Sequence, residues 1–425
     1  MNDDAVVELT VERVAHGGHC VAHHEGRVVF VRHALPGERV RAQVTEVHKN
    51  FLRADAIEIL DASPDRVTAP CPYAGPGLCG GCDFQHASRA AQRRLKAEVV
   101  REQLLRLGGL SEAELAALGA AEAGGIEVLP LPGESPEGSG LGWRTRVQYA
   151  VDGSGRAGLR RHRSHDVLAI DRCRIAAPEI QDAPVTSRSW KGWSAVEAVR
   201  GATGETTVFA RRRRGSEDFQ LESGPATVTE RALGAEWVIP PQVFWQVHPG
   251  AADTFATAVL DLLDPRPGER AWDLYGGAGL FTAALASRVG PQGRVTLVES
   301  DPEAVAAARL ALAGLTNVRS VTGRVDDALG TRRMRATDLV VLDPPRSGAG
   351  AVVVSALIAA SPRAVAYVAC DPAALARDVR TFRDQGWRLA RLRAYDAFPM
   401  THHVECVALL TPAQSDPQQQ VTGDH

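Results

Sequence analysis

The C-terminal part of the chain alternates short β-branched runs with helix-forming runs, and this alternation restricts the fold more than any other feature. After Pro240 the successive runs are ERAWDLYGG, LFTAALASRV, GRVTLVES, PEAVAAARLALAGL, VRSVTG, TDLVVLD and AVAYVAC. Strands that alternate with helices of about ten residues or more predict βαβ units and a parallel sheet with helices on both faces. The sequence therefore predicts a doubly wound, Rossmann-like α/β domain over residues 241–412.

Residues 1–62 show a different pattern. They contain Val-rich runs separated by glycine-bearing turns, namely VVELTVERV, HCVAHHEGRVVFVRHAL, ERVRAQVTEV and LRADAIEIL. About five short strands at such close spacing predict a small OB-like β-barrel. The basic and aromatic stretch from His48 to Arg53 is typical of a nucleic-acid-binding loop, although a solvated turn would read the same way.

Residues 63–240 predict a second β-rich domain. It begins with a cysteine-rich loop and continues with a helix over 87–120, which is a candidate to pack on the C-terminal domain. Residues 121–140 are rich in Gly, Pro, Ser and Glu and predict a loop, and β-type runs follow to residue 239. The last segment, 413–425, is polar and predicts a disordered tail.

Composition and charge restrict the class of protein. Of the 425 residues 23% are charged, and the net charge of −3 shows no overall basic bias. The N-terminus lacks the basic and then apolar pattern of a signal peptide. The longest apolar run, 351–360, is shorter than the roughly 20 residues that a membrane span needs. We therefore expect a cytoplasmic protein that does not bind membranes.

A glycine-rich loop, WDLYGGAGLF, joins the first strand of the α/β pattern to its helix. Asp273 ends the strand, and Gly276, Gly277 and Gly279 allow a tight turn and a close approach of the backbone to a ligand. Glu299 ends the next strand, where an acidic side chain accepts hydrogen bonds from ribose hydroxyls. The D-L-x-G-x-x-G form favours S-adenosylmethionine over NAD, and the lack of a following lysine excludes a P-loop.

A second strand end carries LVVLDPPRSG. Asp343 is followed there by two prolines, which stiffen the exit and direct the carboxylate into the crevice at the carboxyl ends of the strands. In many methyltransferases an aromatic residue follows such prolines and helps to hold an exocyclic amine. Arg346 stands in its place, so methylation of an amine is disfavoured.

Two further residues predict the chemistry. Cys370 lies in YVACDP, where a strand gives way to a loop, and Glu405 lies among apolar residues in FPMTHHVECVALL. A thiolate that adds to C6 of uracil makes C5 reactive towards a methyl sulfonium, and a base must then remove the C5 proton. Taken singly, Cys370 could be a small buried residue and Glu405 a paired carboxylate. Together with the nucleotide loop they favour covalent catalysis on a ring carbon.

At this point the chain resembles the RNA 5-methyluridine (uracil-C5) methyltransferases, which use S-adenosylmethionine. DLYGGAGLF, LDPPRSG, YVACDP and HHVECVALL match that family's ordered motifs, and residues 1–62 resemble its RNA-binding TRAM domain. The resemblance implies Cys370 as nucleophile and Glu405 as proton acceptor. It implies cofactor contacts from the residues Gln246, Asp273, Tyr275, Gly276, Gly277, Gly279, Glu299 and Asp343.

The chain departs from that family at three positions. Gly276 stands where many members have Cys, Asp371 follows the nucleophile in place of Asn, and His248 replaces the usual Asn. These departures concern the substrate contacts more than the reaction.

Four cysteines form a candidate metal site. Cys71, Cys79 and Cys82 have the spacing C-x7-C-x2-C, and Cys173 is a distant fourth. Thiolates bind iron–sulfur clusters or zinc. Iron–sulfur members of the resembled family carry three clustered cysteines and one distant one with a slightly shorter first gap, which implies a [4Fe–4S] cluster here, with zinc as the alternative.

The sequence thus predicts an enzyme that flips a uridine out of structured RNA, tRNA or rRNA, into a pocket beside S-adenosylmethionine. We expect a monomer without an obligate protein partner. Two alternatives stay open: a non-catalytic RNA-binding protein that keeps the methyltransferase fold, and a cytosine-C5 RNA methyltransferase.

Overall fold

The computed structural model describes residues 5–118, 125–133, 138–212, 219–331, 334 and 336–413. Residues 414–425, nearly all of the segment predicted to be a disordered tail, lie outside the described part. Some residues of the predicted loop over 121–140 lie outside it as well.

The N-terminal sheet has six strands, one more than the sequence suggested. They are β1 Val6–Thr10, β2 Arg13–Ala15, β3 His19–His24, β4 Arg27–Arg32, β5 Arg39–Val47 and β6 Phe51–Asp61, in the spatial order β1-β5-β6-β4-β3-β2. Alternate residues such as Val40, Ala42 and Val44 point inward and fill its core. All neighbours pair antiparallel except β4 and β6.

The segment predicted as one helix over 87–120 contains two. They are α1 Arg89–Arg106 and α2 Glu112–Leu118, and the short strand β7 Val128–Pro130 follows them. Gly109 separates the helices in a left-handed conformation with φ +67°, which residues with a Cβ adopt at a cost.

Helix α1 contributes to two cores. Leu95 and Val99 pack in the core of the N-terminal sheet, whereas Val100 and Leu104 pack in a core of the C-terminal sheet. Because one rigid helix is buried on both sides, it joins the two halves of the molecule. The domain boundaries drawn at residues 62 and 240 stay predictions.

The central part is an antiparallel sheet followed by a hairpin. Its elements are β8 Arg146–Val151, β9 Ala157–Arg160, β10 Val167–Ala169, α3 Pro178–Asp182, β11 Ala195–Arg200, β12 Thr206–Arg211, β13 Phe219–Ser223, β14 Val228–Ala232 and β15 Ala235–Ile239. The sheet order is β10-β9-β8-β11-β12-β13, and β14 pairs with β15. Trp143, Tyr149 and Trp190 fill its core.

The C-terminal sheet has the predicted βα alternation. Its elements are α4 Ala251–Leu263, β16 Arg270–Leu274, α5 Leu280–Val289, β17 Arg294–Glu299, α6 Pro302–Ala311, β18 Val318–Thr322, α7 Val325–Leu329, β19 Leu339–Leu342, α8 Gly350–Ala359, β20 Ala364–Ala369, α9 Pro372–Asp384, β21 Trp387–Asp396 and β22 Glu405–Pro412. The order is β18-β17-β16-β19-β20-β22-β21-β7. Strands β16 to β20 run parallel, and β22 runs antiparallel to both of its neighbours.

Strand β7 belongs to this sheet, although the sequence predicted a loop there. It pairs parallel with the end of β21 and forms the eighth strand. Three residues are too few for a recognisable alternation, so only the pairing partner reveals the strand.

The strand order creates a crevice. From β16 the chain winds outward through β17 and β18, then crosses to the other side of β16 for β19 and β20. Ligands of doubly wound sheets bind at such a switch point, outside the carboxyl ends of the strands. The loops after β16, β17, β19 and β20 all lie at this edge.

Candidate active site

One cavity of about 1120 Å³ lies at the switch point and contains most of the predicted site. The predicted residues that line it are Gln246, Tyr275, Gly277, Glu299, Asp343, Cys370 and Glu405. They come from six separate segments of the chain, and the sheet topology brings them together.

Three predicted cofactor residues do not line this cavity. Asp273 is fully buried, and its Oδ2 accepts a hydrogen bond from the Thr282 hydroxyl at 2.6 Å. A Cβ on Gly276 would lie 2.9 Å from Leu297 Cγ, and Gly279 has φ +87° at the start of α5. These three residues lie on the buried side of the glycine loop. They allow the loop to pack closely against the protein, and they do not line the cavity.

Glu299 organises the same loop. Its Oε2 accepts the backbone N–H of Gly277 at 3.1 Å, and its Oε1 accepts the N–H of Asp301 at 2.8 Å. Two ordered backbone segments therefore depend on one carboxylate at the end of β17.

Strand pairing brings Cys370 and Glu405 together. In the antiparallel ladder between β20 and β22, Ala369 lies opposite Cys406. Cys370 follows the last residue of β20 and Glu405 is the first residue of β22, so the same register, extended by one position, brings them to the same end of the two strands. A thiol and a carboxyl group 35 positions apart in the sequence therefore line the same cavity, and the Glu405 charge contributes to the raised pKa of Cys370.

Burial shifts the pKa values of three acidic groups of the cavity, Cys370, Glu405 and Asp343, towards the neutral forms of these side chains. Burial, and then the charges of Glu405 and Asp343, raise the pKa of Cys370 to about 12, while Arg346 opposes the shift. Burial and the Asp343 charge raise the pKa of Glu405 well above its usual value. A positive charge placed among these groups would stabilise their ionised forms.

The pKa of Asp343 is raised as well. Burial, followed by the charges of Asp273 and Glu299, raises its pKa to about 7. Burial likewise raises the pKa of Asp273 to about 6, against the hydrogen bond from Thr282. These carboxyls therefore change charge near neutral pH.

The sequence did not single out several other residues of the cavity. Phe244 is 62% exposed although it is a large aromatic residue, and Trp143, Phe398, Thr401 and His403 also line the walls. Phe244 lies two residues before the predicted cofactor residue Gln246. An aromatic side chain so close to a predicted binding residue was the one sequence feature that could have identified it. The others come from distant segments, and no local pattern marks them.

The cysteines lie around a second cavity, of about 500 Å³. Cys71, Cys79, Cys82 and Cys173 all line it. Its walls also carry seven arginines, Arg144, Arg160, Arg161, Arg163, Arg172, Arg174 and Arg211. Among the described residues, no three His, Cys, Asp or Glu side chains are grouped closely enough to hold a single metal ion.

Comparison with known proteins gives the family. Residues 5–57 match the TRAM domain model, and residues 244–413 match the model of tRNA (Uracil-5-)-methyltransferase. An uncharacterized RNA methyltransferase of Streptomyces avermitilis is 51% identical over 96% of this chain and 98% of its own length. The chain belongs to the RNA uracil-C5 methyltransferase family. A more distant relative is the 23S rRNA (uracil(1939)-C(5))-methyltransferase RlmD of Chromohalobacter salexigens, 33% identical over 96% of this chain and 90% of that protein.

A solved structure shows the same fold as this family member. It is the Pyrococcus abyssi tRNA (uracil-54, C5)-methyltransferase in complex with S-adenosyl-L-homocysteine, with a TM-score of 0.70 and 22% identity. The match covers 95% of this chain and 99% of that one. The predicted combination of a TRAM domain with a methyltransferase fold is confirmed.

Membership of the family makes the chain an RNA methyltransferase that uses S-adenosylmethionine. The prediction of an RNA substrate is confirmed at this level by the TRAM domain and the relatives. In the part of the chain that the structure describes, no helix has both the length and the apolar character needed to cross a membrane.

Proposed function

We propose that the enzyme methylates C5 of a uridine in RNA through a transient bond between Cys370 and C6 of the base. The observation that carries the proposal is the adjacency of Cys370 and Glu405 in the cavity that also contains Glu299 and Gly277. A nucleophile, a base and a nucleotide loop around one cavity are the groups that this reaction needs.

The chemical steps balance with these two side chains. Addition of the Cys370 thiolate to C6 forms a carbon–sulfur bond and moves an electron pair towards C5 and O4 of the ring. When bound, S-adenosylmethionine supplies a methyl group on a positively charged sulfur, and C5 takes it. Glu405, which must be ionised for this step, then accepts the C5 proton, and the electron pair left behind breaks the bond to Cys370. The thiolate is regenerated.

The charges of the pocket explain when Cys370 becomes reactive. With its pKa raised to about 12, the thiol keeps its proton at neutral pH before a ligand binds. A positive charge close to the thiol stabilises the thiolate, and Arg346 already acts in that direction. We therefore propose that Cys370 is activated only when the positively charged cofactor is in place.

The residues of the cavity fit S-adenosylmethionine. Glu299 accepts hydrogen bonds in the position that suits ribose hydroxyls, and Gly277 and Tyr275 border the same space. Asp273 Oδ1 is buried and has no hydrogen-bond partner among the described residues. We propose that Gln246, Tyr275, Gly277, Glu299 and Asp343 contact the cofactor directly.

We propose that Asp273, Gly276 and Gly279 act on the cofactor indirectly, because they support the loop from its buried side.

An RNA that contains 5-fluorouridine tests the mechanism. Fluorine at C5 cannot leave as a proton, so the carbon–sulfur bond should persist and a stable protein–RNA complex should accumulate. The complex should require Cys370 and S-adenosylmethionine. Cys370→Ala should form none, whereas Cys20→Ala, a change at a buried cysteine of the TRAM domain, should form it normally. A complex that survives Cys370→Ala would contradict the assignment.

The substrate RNA is a narrower proposal. We propose tRNA or rRNA, with large-subunit rRNA favoured because the aligned relative RlmD acts on 23S rRNA. Mass spectrometry of RNA from cells with and without the gene would locate the modified residue. Loss of a 5-methylcytidine would establish the cytosine-C5 methyltransferase alternative. If the two RNA samples carry the same methyl groups, the non-catalytic RNA-binding alternative holds.

We also propose that the protein is a monomer without an obligate protein partner. Light scattering of the purified chain would check this proposal.

We further propose that Cys71, Cys79, Cys82 and Cys173 hold a [4Fe–4S] cluster. All four border one cavity. Among the described residues no three of these side chains are grouped closely enough to hold a single metal ion, so the proposal rests on the cysteine spacing and on the cavity that the four share. Ligands of a cluster bind four different irons and lie farther apart. The surrounding arginines would offset the negative charge of the cluster and its thiolates.

Anaerobic purification tests this proposal. We expect about four irons and four sulfides per chain, with a broad visible absorption, and their loss in Cys173→Ser. Cys20→Ala is the control and should keep the iron. Stoichiometric zinc without sulfide would overturn the proposal.

A further inference from the structure

A histidine of the TRAM domain contacts the residue next to the nucleophile. His16 lies in the turn between β2 and β3, and its Nε2 is 3.1 Å from Asp371 Oδ2. Asp371 directly follows Cys370, and its Oδ1 accepts the N–H of Ala374 at the start of α9. One carboxylate therefore caps the helix behind the nucleophile and holds the TRAM domain.

A second contact joins the TRAM domain to the segment before the base. Asp83 Oδ1 accepts a hydrogen bond from Arg32 Nη2 at 3.2 Å, and both side chains are only 6% exposed. Asp83 Oδ2 lies 2.6 Å from His402 Nδ1 and accepts the backbone N–H of His402 at 3.2 Å. His402 precedes Glu405 by three positions, so this chain of contacts ends beside the proposed proton acceptor.

The second contact is tightly packed. The backbone N–H groups of Asp83 and Phe84 both donate to the Met400 carbonyl, at 3.0 and 2.9 Å. A Cβ on Gly18 would lie only 2.8 Å from Asp83 Cβ. Since this turn of the TRAM domain fits so closely against Asp83, a shift of the domain would displace the segment that leads to Glu405.

We propose that the TRAM domain positions both catalytic segments, through His16 on the nucleophile side and Arg32 on the base side, in addition to any contact with RNA. The inference rests on the proposed roles of Cys370 and Glu405. The two groups must act on one flat ring, and displacements of about 1 Å at such distances change rates strongly. His16 and Asp83 are thus positioning residues, since each acts through a neighbour.

The departure at position 371 agrees with this arrangement. The residue after the nucleophile in this chain is Asp371, and its carboxylate lies opposite His16. A carboxylate is a stronger acceptor than an amide and binds a histidine N–H more firmly.

The test separates positioning from RNA binding. Full-length wild type, His16→Ala and His16→Gln would be assayed for transfer of tritiated methyl groups to total RNA from cells that lack the gene. We expect kcat of His16→Ala to fall about 10-fold or more, with KM for RNA within about 2-fold of wild type. His16→Gln keeps a donor near Asp371 and should recover most of the lost kcat. The control is His23→Ala, because His23 bonds only Glu12 within the same domain, at 2.7 Å, and is half exposed.

A second variant examines the base side. Asp83→Asn keeps the shape and one acceptor oxygen but weakens the bonds to Arg32 and His402. It should also lower kcat with little change in KM for RNA. If both variants instead raise KM for RNA and leave kcat unchanged, the domain is only an RNA tether and the inference is wrong.

The test of the positioning role does not depend on which base the enzyme methylates. Tritium transfer reports methylation of any base, and mass spectrometry of the product identifies that base. A product other than 5-methyluridine would overturn the proposed function, while the split between kcat and KM would still decide the positioning role.

Discussion

Lys96 Nζ lies 2.5 Å from Asp396 Oδ1, and neither side chain is exposed to solvent. Lys96 is on α1, before the methyltransferase domain, and Asp396 ends β21. Arg89 of the same helix lies 2.8 Å from Asp396 Oδ2, and Lys96 also donates to the Phe398 carbonyl at 3.0 Å. Because Phe398 lines the active-site cavity, this buried ion pair supports the wall of the site as well as the docking of the helix.

Breaking this pair should destabilise the protein. Lys96→Met leaves Asp396 buried with Arg89 as its remaining cation. Removing one partner of a buried pair costs about 3–5 kcal/mol, and we expect the lower end because Arg89 remains. Urea unfolding followed by tryptophan fluorescence would measure the shift. Arg106→Ala, which breaks only the exposed pair with Glu102, should cost less than about 0.5 kcal/mol.

Removing the proposed base should stop the reaction after methyl transfer. Glu405→Gln retains nearly the same shape but cannot accept the C5 proton. We expect a methylated RNA that stays bonded to Cys370, with turnover lower by at least about 100-fold. Denaturing gels of ordinary, fluorine-free RNA with the variant would show the complex. Normal turnover without a complex would exclude Glu405 as the proton acceptor.

Cofactor binding should depend on pH through Asp343. Burial, and then the charges of Asp273 and Glu299, raise the pKa of Asp343 to about 7, so the free enzyme holds it neutral below that pH and ionised above it. A positively charged ligand prefers the ionised form, so its affinity should rise with pH up to about 7. One such group changes the affinity by at most about tenfold per pH unit.

Isothermal titration of S-adenosylmethionine in buffers of different ionisation enthalpy would measure this effect. Proton release should accompany binding near pH 6, where part of Asp343 must ionise, and Asp343→Asn should release fewer protons. An affinity independent of pH in the wild type would show that Asp343 stays neutral when the cofactor is bound.

Gly276 should be required for a tight cofactor loop. A Cβ there would lie 2.9 Å from Leu297 Cγ and 3.0 Å from Asp273 Oδ2, so Gly276→Ala must displace the loop or its support. Overpacking of this kind costs about 1–3 kcal/mol, and if the cofactor-bound loop carries this cost, the cofactor affinity should fall by about 5- to 150-fold. Gly314→Ala is the matched control, since nothing lies within 4 Å of its added Cβ. Equal affinities for the two variants would refute the packing argument.

The local sequence was sufficient to locate the five parallel strands β16 to β20 of the catalytic half, but it did not predict β21 and β22. The glycine loop, Glu299 and Asp343 each follow a buried strand, and the βα alternation is strong because each unit is long enough to show its period. The helix over 87–120 and the loop over 121–140 were predicted less well. Gly109 divides the helix, and β7 is recognisable only through its partner strand.

The sequence by itself determined the family, the order of the elements and the residue types that the reaction needs. Only the tertiary structure decided that Cys370 and Glu405 are adjacent, since that follows from the register of β20 against β22. Only the tertiary structure connected His16 to Asp371 and Arg32, through Asp83, to His402. The physical reason is that periodicity and turn chemistry act between near neighbours in the chain, whereas strand register and buried polar contacts join segments that lie tens to hundreds of positions apart.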